Sequence, residues 1–127
     1  PPEFMLVASF NPGYRKGLRE LEPSTRQRFV ALAFDYPEAK VEVEIVAREA
    51  GVPEATAKRL VALAAKVRGL EQLGLRETVS TRLLIAAGKL IAAGLPARRA
   101  CVVAIVEPLT DDAEARAALS DLAALVL

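Results

Sequence analysis

Beyond Pro37 the sequence is cut by prolines and glycines into helix-length pieces whose apolar residues recur three and four apart. "PEATAKRLVALAAKVRGLEQLG" puts Leu60, Ala64, Val67 and Leu70 on one face. "STRLLIAAGKLIAAG" opens on a Ser/Thr cap, turns Leu83, Leu84, Ala87, Leu90 and Ile91 inward, and stops at Gly94. Pro96 opens the next helix, through Ala100, Val103 and Val106. Asp111 and Asp112 cap a last one carrying Leu119, Leu122 and Val126. One piece is ambiguous. Lys40 to Glu44 alternates with period two, a strand signal. Pro37 at a helix start, Gly51 at a helix stop and Arg48 in the last turn outweigh it, so 37–51 is expected to be helical.

The residues before Pro37 read differently. "MLVASF" (Met5–Phe10) is a continuous apolar run closed by the turn Asn11-Pro12-Gly13, as in a strand buried on both faces. "FVALAFDY" reads as a second strand, closed by Pro37. Ser24-Thr25 offer a cap for a short helical turn carrying Arg26 and Arg28. The fold expected is therefore mainly α: about five helices preceded by two strands.

The 127 residues suffice for one domain with an aliphatic core, since aromatic residues are only 5% of the chain. There is no histidine, which excludes Ser-His-Asp and Cys-His chemistry and any His-based metal site within the chain. Cys101 stands alone in "ACVVAIV", so no intrachain disulfide forms; that fits a reducing cytoplasm. No run approaches the roughly 20 apolar residues of a membrane span. With a net charge of +1, charge alone does not point to a polyanionic partner. The charges are nevertheless segregated: Ser9–Phe29 is basic, with Arg15, Lys16, Arg19, Arg26 and Arg28 against Glu20 and Glu22, whereas 107–127 is acidic.

A phosphate-cradling G-x-x-x-x-G-K-[ST] loop is absent; Gly88-Lys89 is followed by Leu90 and lies within a helical segment. No strand ends in paired acidic residues suited to Mg²⁺. Arginines do stand where nucleotide chemistry uses them. Arg26 and Arg28 occupy a capped turn just before a strand, and an arginine that reaches a γ-phosphate is worth about 10³–10⁵ in rate. Arg82 follows Ser80-Thr81 at a helix N-terminus, where dipole and guanidinium both favour an anion. Asn11, at a strand tip, has the chemistry to orient water or a phosphate oxygen. Each also has a plain explanation as a solvated arginine or a turn residue.

A competing pattern is "VAREAGVPEATAKRLV" (46–61), which looks like a helix-turn-helix with Thr56, Lys58 and Arg59 on a DNA-reading helix. Glu44–Val61 is electrically neutral, however, and a DNA-binding element is normally basic. An ordinary αα-hairpin is the simpler reading.

Taken in order, "SFNPGY", "PSTRQRFVALAFDYP", "EIVAREAGV", "STRLLIAAGKLIAAG" and "EPLTDD" resemble the C-terminal part of MoxR-branch AAA+ ATPases of the CbbQ/NirQ/NorQ group. The resemblance implies a ring, commonly a hexamer, that uses ATP and Mg to remodel a client enzyme such as rubisco or nitric oxide reductase, with a von Willebrand factor A-domain partner. By position it makes Asn11 the sensor-1 residue. Arg28, or else Arg26, becomes an arginine finger given in trans, and Arg82 the sensor-2 arginine. Residues 37–127 would be the helical lid, 5–36 the last strands and finger loop of the α/β core, and 1–4 an expression remnant. Lacking Walker A and Walker B motifs, the chain alone is expected to bind no ATP or Mg and to hydrolyse none. The resemblance implies neither a nucleic-acid nor a membrane partner, and a cytoplasmic location. Bare apolar strands recruit other chains, so residues 1–36 are expected to pair between copies or to rearrange.

Overall fold

The computed structural model describes residues 1–9, 23–70 and 78–127. The chain divides into two units, Pro1–Phe34 and Asp35–Leu127.

In the first unit, α1 (Pro23–Arg26) is a single turn. Ser24 and Thr25 lie inside it rather than capping it from outside. The turn closes where the Arg28 amide donates to the Thr25 carbonyl (3.1 Å) and the Phe29 amide to that of Arg26 (3.1 Å). The strands expected at Met5–Phe10 and Phe29–Phe34 are not formed among the described residues, Phe10 lying outside them. A strand exists only as one rail of a hydrogen-bonded ladder, and neither segment has a second rail there. Met5, Val7, Val30, Leu32 and Phe34 are consequently all exposed.

The second unit is helical. α2 (Ala39–Ala50) resolves the ambiguity at Lys40–Glu44 in favour of the helix. It ends at Gly51, whose φ of 68° is the left-handed conformation that glycine adopts without a Cβ penalty. The amides of Gly51 and Val52 both donate to the Ala47 carbonyl, at 3.0 and 3.2 Å. α3 (Glu54–Arg68) follows at once, with Pro53 as its N-cap residue. α4 (Thr81–Ala92) begins after Ser80. Beyond Pro96, α5 (Ala97–Cys101) runs without a break into a π-helical segment (Val102–Val106) and then α6 (Glu107–Leu109). α7 (Ala113–Val126) is capped by Asp112, whose Oδ1 accepts the Ala115 amide at 2.8 Å.

The π segment lies just before Pro108. A proline has no amide to offer the preceding turn and its ring crowds the carbonyl four residues back; a wider turn relieves both. The wider turn also rotates the buried face. Ala100, Cys101, Ala104, Ile105 and Val106 are inside, while Val103, expected inward on an α-helical count, is 46% exposed.

The core is aliphatic, as composition requires. Val46, Leu60, Leu63, Leu84, Ile105 and Leu119 supply its largest apolar side chains. α2 packs on α3 and α4, and α7 closes on α3 and the π segment. At Gly88, within α4, a Cβ would lie 2.6 Å from the Ala50 Cβ of α2. That close approach accounts for the glycine in the Gly88-Lys89 pair.

Candidate functional site

The candidate site is the start of α4. Ser80 is extended (φ −81°, ψ 154°), and its side chain makes no capping bond. Its carbonyl accepts from the Leu83 and Leu84 amides at 3.0 and 3.4 Å. The amides of Thr81 and Arg82 therefore belong to the first turn, where an α-helix has no internal acceptors. Arg82 is exposed beside them. Open amides, the positive end of a 12-residue helix and a guanidinium form a donor-only, cationic set. Such a set suits a phosphate oxygen.

This turn is held from below by a buried carboxylate. Glu42, in the first turn of α2, is 1% exposed. Arg68, in the last turn of α3, grips it with both nitrogens of its fork: Nη1 to Oε2 and Nη2 to Oε1, each 2.8 Å. The Thr81 hydroxyl donates to Oε1 at 2.7 Å. Arg68 Nε donates to the Val79 carbonyl at 2.9 Å, and its guanidinium lies 3.7 Å from the centre of the Tyr36 ring. Burial alone pushes the Glu42 carboxyl up. The bonds from Arg68 and Thr81, with the guanidinium charge, outweigh it and hold the group below the ordinary carboxylate value. The Glu42 bond in turn raises Arg68 above its usual value, against the opposing effect of burial.

Arg26 ends α1, and Arg28 follows within the same closed turn; both are exposed. They belong to the first unit and Arg82 to the second. Asn11 lies outside the described residues. Among the described residues no group of three His, Cys, Asp or Glu side chains could hold a metal ion.

Residues 42–126 match the CbbQ/NirQ/NorQ C-terminal family. The chain belongs to the CbbQ/NirQ/NorQ family. It is 55% identical to protein NorQ of Paracoccus denitrificans over 98% of its length, which covers 46% of that relative. It is 56% identical to the denitrification regulatory protein NirQ of Pseudomonas aeruginosa over 96% of its length, covering 47% of that relative. With protein CbbQ of Hydrogenophilus thermoluteolus the identity is 51% over 93% of the chain, covering 44% of that relative. The chain therefore spans less than half the length of the curated relatives it matches.

Within this CbbQ/NirQ/NorQ chain, residues 46–61 do form two helices around a glycine turn. Of the cations expected on the DNA-reading helix, Lys58 pairs with Glu54 at 2.6 Å and Arg59 donates to the Leu127 carbonyl at 3.2 Å, both on the exposed surface. The segment is an αα-hairpin of the helical unit. Sequence reasoning missed the Glu42–Arg68 pair, although a signal was there. Glu42 falls four and eight residues before Val46 and Ala50, and Arg68 four residues after Ala64. Each charge thus sits on the apolar stripe of its own helix. An acid and a base so placed are expected to find each other when the stripes pack. No helix among the described residues is long and apolar enough to cross a membrane.

Proposed function

We propose that the chain is the C-terminal part of a MoxR-branch AAA+ ATPase that uses ATP hydrolysis to remodel a client enzyme. The observation that carries this reading is the family match across 42–126, almost the whole helical unit that presents Arg82. In this reading 37–127 is the helical lid and Arg82 the sensor-2 arginine, meeting phosphate from the first turn of α4. Arg28, or else Arg26, is the finger offered to the nucleotide of the neighbouring subunit, and Asn11 is the sensor-1 residue. Residues 5–36 supply the last strands and finger loop of the α/β core; the remaining strands of the core would give Met5–Phe10 and Phe29–Phe34 their ladder.

When bound, ATP would supply a transferable γ-phosphoryl group and Mg²⁺ would neutralise its charge. Arg82 and the open amides of α4 bind and orient phosphate oxygens. The partners proposed are further copies in a hexameric ring, a von Willebrand factor A-domain protein and a client, within the cytoplasm. Likeness to the denitrification regulatory protein NirQ favours a denitrification enzyme such as nitric oxide reductase; likeness to CbbQ keeps rubisco as the alternative client.

The test is ATP turnover by the full-length protein with single substitutions. Arg82→Ala and Arg28→Ala are each expected to lower kcat by about 10³-fold, the lower end of the range for arginines that stabilise phosphoryl transfer. The present chain alone is expected to show no turnover with Mg·ATP. Full activity in both variants, or turnover by the chain alone that Arg28→Ala abolishes, would overturn the reading.

A further inference from the structure

Both oxygens of Glu42 are occupied, and they are occupied by two different helices. Arg68 of α3 takes both, and Thr81 of α4 shares Oε1. Arg68 also reaches the Val79 carbonyl. The chain entering α4 is therefore tied on each side of Ser80, by its backbone at Val79 and by its side chain at Thr81. The next residue is Arg82.

We propose that Glu42 is a positioning residue for Arg82. Through Thr81 and Arg68 it sets the direction of the first turn of α4, and with it the place where the guanidinium and the open amides meet phosphate. The proposal rests on reading Arg82 as a phosphate contact. Its warrant is the kind of bond used. A buried ion pair is a poor source of net stability, because apolar residues of similar volume often do as well. It is directional, however, and a bidentate fork fixes orientation as well as distance. Thr81 as the first residue of α4 spends its hydroxyl on Glu42, which pins the helix start to α2. An apolar contact there would leave the turn free to rotate. Displacement of a reacting group by 1 Å can cost on the order of 10²-fold in rate, so a loosened turn would be felt at the phosphate.

The experiment uses full-length protein carrying Thr81→Val, Thr81→Ser and Arg82→Ala. Thr81→Val keeps the shape and removes only the hydroxyl, whereas Thr81→Ser restores it. Two readouts are taken: kcat for ATP, and hydrogen exchange of the Leu83 and Leu84 amides without nucleotide. Thr81→Val is expected to lower kcat about tenfold and to speed exchange at those two amides, while Thr81→Ser stays within about twofold on both counts. Glu42→Gln, which leaves the Arg68 fork facing an amide, should behave as Thr81→Val does. If Arg82→Ala is inactive while Thr81→Val keeps wild-type turnover and exchange, the positioning role is overturned and the sensor reading stands. If Arg82→Ala hydrolyses ATP normally, the sensor reading falls and the inference falls with it.

Discussion

Glu42 is the residue whose replacement tells most about the helical unit. Removing its carboxylate leaves the Arg68 guanidinium, 15% exposed, without its partner. Breaking a buried pair from one side costs about 3–5 kcal/mol, and the partial exposure of Arg68 places Glu42→Ala near the lower figure. The cost should depend on pH in a definite direction. The folded carboxyl titrates below the ordinary value of about 4.3, so its contribution is complete above that pH and is lost as pH falls through the folded value. Urea midpoints of wild type and Glu42→Ala should therefore differ most at neutral pH and converge in acid. A gap that widens on acidification would contradict the assignment. Cys101 gives a second test at this scale. Burial pushes its thiol up to about 12, so the native protein is expected to resist thiol reagents at mildly alkaline pH and to react on unfolding. Of these residues only Cys101 was legible as buried, from its place in an apolar run. Glu42 was not legible as buried, because among Lys40, Glu44, Arg48 and Glu49 it reads as one more solvated charge and its partner Arg68 lies 26 residues away.

Elements were more legible than contacts between them. Apolar stripes and Pro/Gly punctuation located α2, α3, α4 and α7, because burying a stripe is what stabilises a short helix. Two things escaped the count. The π turn before Pro108 changes the periodicity locally, so Val103 faces outward. The two apolar runs before Pro37 have strand character in sequence, but a strand is a property of a pair, and no pairing is visible in one run of residues. Packing distance is equally invisible, which makes Gly88 the element-scale test. Its Cβ would meet that of Ala50, a side chain with no freedom to move aside. Gly88→Ala gains up to about 1 kcal/mol of helix propensity but faces an overpacking cost of about 1–3 kcal/mol. A net loss of about 1 kcal/mol is expected by thermal or urea unfolding. Its relief by Ala50→Gly in the same chain would identify the α2–α4 approach as the cause.

For the whole molecule, the arrangement of Arg28 and Arg82 in separate units carries a testable meaning. In the proposed ring Arg82 serves the nucleotide of its own subunit, whereas Arg28 serves that of the neighbour. The two defects should therefore respond differently to mixing. A subunit with Arg28→Ala keeps its own nucleotide site but gives its neighbour no finger. A subunit with a disabled phosphate loop cannot bind ATP but still offers Arg28. In mixed rings some Arg28→Ala sites would sit beside an intact finger, so hydrolysis should return even though each pure variant is inactive. The finger is worth on the order of 10³-fold or more, which makes even a small fraction of correctly paired interfaces measurable over the background of either parent. Arg82→Ala mixed with the same phosphate-loop variant should show no such recovery, because both defects fall on a subunit's own site. Recovery with Arg26→Ala and not with Arg28→Ala would move the finger by two residues within the turn that α1 closes. Absence of recovery with either, under conditions where mixed rings form, would mean that neither arginine acts across the subunit boundary.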